Sequence, residues 1–161
     1  MDRAGINIGR PGRRTAMVLV VAGLLFAVMA YRGMWFAPRY AGPSLSVTQA
    51  FDLAARNQVL LIDIRRPDEW RDTGLPRHAH ALDMRRDDFG AALTALTAGD
   101  RARPIALICA RGVRSARLAR RLSNAGFDQI INVPEGMLGS PAGPGWLAAG
   151  LPVTPVPESG T

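Results

Sequence analysis

Three short, mostly apolar runs alternate with segments of helical periodicity, and this alternation limits the fold more than any other feature of the chain. The runs lie at 59–62, 104–108 and 129–133. Short apolar runs of this kind are typical of strands that are buried on both faces of a sheet. Strands that are separated by helices predict β-α-β units and a parallel sheet with helices on both faces. We therefore expect an α/β domain whose active site lies at the carboxyl ends of the strands.

The intervening segments carry clear helix signals. Ser46 and Gln49 have the spacing of a capping box, in which each side chain bonds the other residue's backbone N–H, and they predict a helix start. Two further helices are predicted at 91–98 and 114–125, and Gly126 is placed to end the second of them. Each predicted helix follows or precedes one of the apolar runs, as the α/β interpretation requires.

A longer apolar segment precedes this pattern. Residues 16–30 contain only apolar residues and one glycine, with Arg13 and Arg14 before them and Arg32 after them. At about 1.5 Å per residue the run is about 25 Å long as a helix, slightly short of a hydrocarbon core of about 30 Å. Two interpretations stay open for 16–37: an uncleaved transmembrane anchor, which we favour, and a signal peptide.

The positive charge is concentrated in the same part of the chain. Residues 1–43 hold six arginines and one acid, a net charge of +5, whereas 44–161 hold fourteen arginines and twelve acids, a net charge of +2. A nucleic-acid-binding domain would carry the excess on its folded body, so we expect no nucleic-acid partner. Arginines before an apolar segment favour a cytoplasmic N-terminus, which predicts a periplasmic or otherwise extracytoplasmic body, either tethered to the cell membrane or secreted after cleavage.

Cysteine and lysine usage excludes several chemistries. The chain has one cysteine, Cys109, so it contains no intramolecular disulfide and no multi-thiolate metal site. All 20 basic residues other than histidine are arginine, which excludes a lysine Schiff base. We expect no metal and no other cofactor.

Cys109 stands where the fold predicts chemistry, at the end of the second apolar run and directly before a helix. The turn that follows it consists of Ala110, Arg111, Gly112, Val113, Arg114 and Ser115. Backbone N–H groups in such a turn can form an anion-binding nest, and the helix start and two arginines add positive charge. These features favour a thiolate and an anionic substrate. A buried structural cysteine is the alternative.

Several segments in this order resemble the rhodanese family of sulfurtransferases. They are LIDIR at 61–65, PDEW at 67–70, C-x-x-G-x-R-S at 109–115, AGF at 125–127, EG at 135–136 and GLPV at 150–153. The resemblance covers about 44–155 and implies a compact α/β domain with a five-stranded parallel sheet. It also implies that the loop cysteine takes a sulfane sulfur from thiosulfate, becomes a persulfide, and passes the sulfur to cyanide or a thiol.

The resemblance also implies roles for individual residues. Cys109 is the nucleophile, residues 110–115 supply the N–H cradle, and Arg111 and Arg114 bind sulfonate oxygens. The residues themselves suggest the supporting positions. Asp63 and Arg65 end the first apolar run near the expected site, where an ion pair or hydrogen bonds are expected, and Trp70 is expected in the core or pocket wall.

Three functions are compatible with a cysteine in this turn. We favour a membrane-tethered sulfurtransferase, and the alternative is a persulfide carrier or redox-sensing module that serves a partner without turnover. Related cysteine phosphatases use C-x5-R to hold a tetrahedral phosphate, whereas this chain has C-x4-R from Cys109 to Arg114, which disfavours phosphatase activity.

The predicted organisation has five parts. They are a basic cytoplasmic N-terminus at 1–15, a transmembrane anchor or signal segment at 16–37, a linker at 38–44, a rhodanese-like domain at 45–155 and a flexible tail at 156–161.

Overall fold

The computed structural model of the protein describes residues 22–24 and 40–157. The chain divides into two compact units, Met1–Pro38 and Arg39–Thr161. Within the first unit, residues 22–24 are helical. Among the residues described, no helix is long and apolar enough to cross a membrane. The predicted N-terminus at 1–15, most of the predicted segment at 16–37 and the last four residues of the predicted tail lie outside the described residues.

The second unit contains five helices and six strands in its described residues. In chain order they are α1 (Val47–Ala55), β1 (Leu60–Asp63), α2 (Pro67–Thr73), β2 (Leu75–Pro76), β3 (His80–Ala81), α3 (Phe89–Leu96), β4 (Ile105–Ile108), α4 (Val113–Asn124), β5 (Ile130–Asn132), α5 (Gly145–Ala148) and β6 (Val153–Thr154). The capping box at the start of α1 is present, because the Ser46 side chain accepts from the Gln49 N–H and the Gln49 side chain accepts from the Ser46 N–H.

The central sheet is parallel, as predicted, but it has four strands rather than five. Their order is β3-β1-β4-β5. In register, Leu60 of β1 lies opposite Ile105 of β4, and Ile105 lies opposite Ile130 of β5. β2 and β6 form a separate two-stranded antiparallel sheet. The three apolar runs of the sequence therefore form the three adjacent strands β1, β4 and β5.

The prediction of a fifth parallel strand is wrong because the chain beside β5 pairs with it over too short a length. Ser44 makes one isolated parallel bridge to Asn132. The Asn132 N–H donates to the Pro43 carbonyl at 3.0 Å, and the Leu45 N–H donates to the Asn132 carbonyl at 3.0 Å. Pro43 has no N–H with which to extend the ladder. This segment, part of the predicted linker, covers the edge of β5 without becoming a strand.

The sheet separates two apolar clusters, one on each face. One face buries alternate strand residues, such as Ile62 and Leu107, against α3 and α4, and it includes the side chain of Cys109. The other buries the intervening residues, such as Leu61 and Ile108, against α1 and α5. Because strand side chains alternate between faces, burial on both sides requires the continuous apolar runs that the sequence contains.

Helix α2 was not predicted, and it positions part of the site. Pro67 occupies its first turn, where a missing N–H is tolerated, and Asp68 and Glu69 follow in the same turn, where acids are favourable. Gly74 ends the helix with φ of 76°, a left-handed value that favours glycine. The helix follows directly on the carboxyl end of β1, next to the end of β4.

Candidate active site

Cys109 follows the last residue of β4 and is buried, with 1% of its surface exposed. Its Sγ lies 3.4 Å from the Oγ of Ser115, which is fully buried in the first turn of α4. Ser115 donates its hydroxyl proton to the Gly112 carbonyl at 3.0 Å. The thiol and the hydroxyl therefore face one another across the turn that joins β4 to α4.

The turn between Cys109 and α4 depends on Gly112. This residue has φ of 78°, and a Cβ added to it would overlap the Pro134 carbonyl. Gly136, with φ of 67°, makes the reciprocal approach, since a Cβ there would collide with the Ala110 carbonyl. Both glycines are therefore required by a positive φ and by a close backbone contact. The two turns, at 109–115 and 134–139, pack backbone against backbone.

Hydrogen bonds fix this contact. The Met137 N–H donates to the Cys109 carbonyl at 2.9 Å, and the Leu138 N–H donates to the Ala110 carbonyl at 2.9 Å. Within the described residues, none of the N–H groups from Ala110 to Ser115 donates to a protein acceptor. The carbonyls of the turn are thus occupied while its N–H groups are left for another acceptor, and an anion satisfies such a set of donors.

Arg114 is held by a carboxylate that the sequence analysis did not assign to the site. Its Nη1 donates to Glu69 Oε2 at 2.8 Å and its Nη2 donates to Glu69 Oε1 at 2.6 Å. This two-pronged pairing lowers the pKa of Glu69 from 4.5 to about 2. Together with the nearby Cys109 sulfur, it also raises the pKa of Arg114. The Arg114 charge that was predicted to bind substrate oxygens is therefore balanced within the protein.

Arg65 holds the helix that carries Glu69. Its Nη1 donates to the Glu69 carbonyl at 3.0 Å and to Thr73 Oγ1 at 2.6 Å, and its Nη2 donates to the Gly74 carbonyl at 2.7 Å. One acceptor lies in the first turn of α2 and the other two at its end, so the guanidinium contacts the helix along its whole length. Glu69 also accepts from the Arg66 N–H at 3.1 Å, at the start of the same helix.

The Arg65 guanidinium is itself anchored by Asp63. Both side chains are fully buried, and Arg65 Nη2 lies 2.7 Å from Asp63 Oδ2. Arg65 Nε also donates to Asp63 Oδ1 and Oδ2, at 3.0 and 2.9 Å, and its backbone N–H donates to Oδ1 at 3.0 Å. Burial raises the pKa of Asp63, and the hydrogen bonds from Arg65 oppose that effect. The structure therefore places Asp63 and Arg65 in a buried ion pair next to the site.

The other predicted site residues lie around the turn. Arg111 is exposed, and its Nη1 lies 3.5 Å from the Gly139 carbonyl. Ala110 is half-buried, whereas Val113 is 63% exposed. Trp70 is buried on α2. Arg111 is thus the arginine of the turn whose charge no carboxylate balances in the described structure.

Glu135, which the sequence analysis noted only as part of a motif, stabilises the turn at 134–139. Its side chain is buried, and its carboxylate accepts from the Val47 N–H at 3.1 Å and from the Gly145 N–H at 3.2 Å. Val47 begins α1 and Gly145 begins α5, so one carboxylate satisfies the starts of two helices, where negative charge is favourable. Glu135 thereby ties the second turn of the site to the helices on one face of the sheet.

Comparison with known proteins identifies the family. The Rhodanese-like domain family matches residues 46–139 of the chain. The chain belongs to the rhodanese-like domain family. The match contains β1, β4, the Cys109 turn and the turn that braces it, so the family assignment covers the whole of the site described above.

Three individual proteins show how similar the chain is to known sequences and structures. An uncharacterized protein from Rickettsia rickettsii is 26% identical over 112 residues, which cover 65% of this chain and 91% of that protein. The solution structure of the polysulfide-sulfur transferase homodimer from Wolinella succinogenes is 26% identical, with a TM-score of 0.61, over 81% of this chain and 91% of that one. A crystal structure of an M. tuberculosis protein is 27% identical, with a TM-score of 0.54, over 70% and 97% of the two chains.

Among the residues that the structure describes, no group of three or more histidine, cysteine or acidic side chains could hold a metal ion. The unused donors are instead the N–H groups of the Cys109 turn, which suit a small anion.

Two functional features were missed by the sequence analysis. Glu69 lies in the PDEW segment, but the pairing with Arg114 across 45 positions could not be read from local patterns. The sequence offered one signal for this contact. An acid stands near the start of a short segment that begins with proline, and the predicted sheet places that segment close to the arginine-rich turn. The close approach of the Pro134 carbonyl to Gly112 was indicated more weakly. The sequence feature that could have predicted it is the cluster of glycines after residue 135.

The Glu69–Arg114 pair predicts a defined pH dependence of stability. Because folding lowers the pKa of Glu69 from 4.5 to about 2, the stability it contributes is complete above pH 4.5 and is lost as the pH falls toward 2. Glu69→Gln should lower the free energy of unfolding at pH 7 by about 1 kcal/mol, less than a buried charge-assisted bond contributes, because solvent screens this partly exposed pair. The loss of stability between pH 4.5 and 2 should also be shallower in this variant.

Denaturant unfolding at several pH values measures both effects. Asp52→Asn, which changes an exposed carboxylate on α1, is the matched control and should keep the wild-type profile in this window. Identical profiles for wild type and Glu69→Gln would show that the pair contributes nothing to the folded state.

Proposed function

We propose that the protein is a sulfurtransferase that moves a sulfane sulfur from thiosulfate or a related anionic donor through a persulfide on Cys109. The observation that carries the proposal is the pairing of a single cysteine with a turn whose N–H groups have no acceptor in the described structure. Membership of the rhodanese-like family and the likeness to a polysulfide-sulfur transferase support sulfur transfer in general.

The loading step begins with the Cys109 thiolate. Its sulfur attacks the sulfane sulfur of thiosulfate and forms a new S–S bond, while the original S–S bond breaks and its electron pair leaves with sulfite. No external oxidant or reductant is needed, because the sulfane sulfur is transferred without a net change in electron count. The N–H groups from Ala110 to Ser115 are placed to stabilise the anion in this turn.

Ser115 supplies a hydroxyl whose bonding changes with the state of the sulfur. In the described structure it donates its one proton to the Gly112 carbonyl, so the Cys109 thiol is left as the donor across the 3.4 Å contact. When the sulfur is a thiolate it can only accept, and rotation of the Ser115 hydroxyl toward Sγ supplies the donor. Ser115 therefore acts through the Cys109 thiolate, which it orients for the attack on the sulfur donor.

The two arginines of the turn have different parts in the proposal. Arg111 is exposed and carries the charge that draws a thiosulfate dianion to the turn. Arg114 is paired with Glu69, so its main contribution is to hold the start of α4 in place. Arg111 is then the one arginine of the turn whose charge is not balanced by a carboxylate among the residues described. One unbalanced positive charge also suits a donor with one negative charge, such as a polysulfide that ends in a hydrosulfide group.

In the second step the sulfur passes to cyanide or to a thiolate. The acceptor attacks the outer sulfur of the persulfide, the bond to Cys109 Sγ breaks, and its electron pair restores the Cys109 thiolate. The alternative function is a persulfide carrier that does not turn over with small acceptors. Because Cys109 is buried, the acceptor must in either case enter the turn to reach the sulfur.

We also propose that the domain is tethered to the cell membrane through residues 16–37 and lies outside the cytoplasm, as a periplasmic domain in a cell with an outer membrane. The support is the apolar segment and the +5 charge of residues 1–43. Cleavage after this segment would instead release the domain in the same compartment.

Substitution of the cysteine tests the enzymatic proposal. Cys109→Ser should abolish thiosulfate:cyanide turnover, because a serine hydroxyl is not ionised at neutral pH and does not form a persulfide. The fold should be kept, since the replacement is small and already has a hydroxyl neighbour. Turnover by Cys109→Ser at the wild-type rate would refute the assignment, and circular dichroism confirms that the variant is folded.

Reporter fusions test the topology. An alkaline phosphatase reporter joined after Thr161 should be active and a fluorescent reporter that folds only in the cytoplasm should be dark. Replacing Arg10, Arg13 and Arg14 with acidic residues should weaken this orientation, because positive charge before the apolar segment sets it. A dark phosphatase fusion together with a bright cytoplasmic reporter would contradict the proposed location.

A further inference from the structure

The large apolar side chains that are exposed on the body belong to the Cys109 turn, to the turn that braces it, or to the helix hydrogen-bonded to that second turn. In residues 40–157 they are Val113, Leu138 and Leu147, which are 63, 46 and 38% exposed. We name these three side chains the apolar rim. Large exposed apolar groups that cluster at one place on a soluble surface are typical of contact sites for another macromolecule.

Backbone hydrogen bonds link the apolar rim to the turn. Val113 directly follows Gly112 in the turn, and the Leu138 N–H donates to the Ala110 carbonyl at 2.9 Å. The Leu147 N–H donates to the Met137 carbonyl at 3.2 Å, and the Met137 N–H in turn donates to the Cys109 carbonyl. The rim is therefore part of the same braced structure as the nucleophile, although it supplies no group to the loading step.

The charge that α4 adds beside Val113 without a carboxylate partner is positive. Arg117 and Arg121 follow Val113 at intervals of four residues on α4, so the three share one face of the helix. Both arginines are exposed and make no ion pair within the described residues. Residues 109–124 and 136–150 contain no aspartate or glutamate. A partner that covers this surface would need apolar side chains and carboxylates.

The depth of the sulfur restricts the partner further. Cys109 is 1% exposed, and a persulfide adds one S–S bond of about 2 Å to its Sγ. A thiol on a flat protein surface would not reach that sulfur, whereas a cysteine in a protruding or extended segment would. The partner that fits this surface is apolar, acidic and extended. These properties describe the sulfur acceptor, because the donor is a small anion.

We propose that the apolar rim and the arginine face of α4 bind a protein acceptor, which presents a cysteine in an extended segment with an adjacent apolar residue and flanking carboxylates. This inference rests on the proposed sulfur transfer. The acceptor thiolate attacks the outer sulfur of the Cys109 persulfide, a new S–S bond forms on the acceptor, and the electron pair of the broken bond restores the Cys109 thiolate.

Synthetic cysteine peptides test the proposal with the full-length protein in detergent. The first peptide has a leucine beside the cysteine and four flanking glutamates, the second has serine in place of the leucine, and the third has lysines in place of the glutamates. The protein is loaded with thiosulfate, freed of excess donor and mixed with each peptide. Mass spectrometry then follows the sulfur on the peptide. The first peptide should accept sulfur about tenfold faster than either of the others.

Variants separate the binding surface from the chemistry. Leu138→Ser should slow transfer to the first peptide about fivefold, through loss of apolar contact. Arg117→Ala and Arg121→Ala should each slow it about threefold at low salt and less at high salt. All three should keep thiosulfate:cyanide turnover within about twofold of wild type, and Arg77→Ala, an exposed arginine outside this surface, should change neither rate.

The outcomes are distinguishable. Absence of any persulfide after thiosulfate treatment would refute the proposed function itself. Persulfide formation and normal cyanide turnover, with equal rates for the three peptides, would overturn only the acceptor surface. A concentration-dependent dimer that Leu138→Ser dissociates would assign the surface to a second copy of the chain and would likewise overturn the inference.

Discussion

The buried guanidinium of Arg65 is the group on which the geometry of the site depends. Asp63 at the end of β1 fixes its orientation, and its remaining donors bind the Glu69 carbonyl within α2 and the Gly74 carbonyl that follows it. That helix carries Glu69, which in turn holds Arg114 at the start of α4. Removing one member of a fully buried ion pair leaves an uncompensated charge, which costs about 3–5 kcal/mol. A short helix of seven residues is thereby fixed well enough to position a side chain across the site.

The second support of the Cys109 turn consists of backbone rather than charge. Gly112 and Gly136 allow two turns to approach so closely that no side chain fits between them, and two hydrogen bonds occupy the Cys109 and Ala110 carbonyls. The N–H groups of the turn then have no acceptor among the residues described. An anion-binding turn built in this way is preorganised, because its donors are fixed before a ligand arrives. Side-chain charge is a secondary contribution, since Glu69 balances Arg114.

Local signals predicted much of the fold, while the contacts that shape the site required the folded chain. The capping box at Ser46 and the apolar runs gave the first helix and the parallel sheet, because both patterns depend on neighbouring residues. The fifth strand was wrong because Pro43 interrupts pairing, which a family resemblance does not reveal. The pairing of Glu69 with Arg114 joins residues that are 45 positions apart. No periodicity or motif encodes such a contact in one sequence.

The central claim is that Cys109 carries a transferable sulfur, and the intact mass of the protein after exposure to thiosulfate tests it most directly. The wild-type chain should gain about 32 Da, the mass of one sulfur atom, as a persulfide on its single cysteine. The gain should disappear on addition of cyanide and should be absent from Cys109→Ser treated in parallel. An unchanged wild-type mass, with the protein shown to be folded and its thiol reduced, would contradict the account.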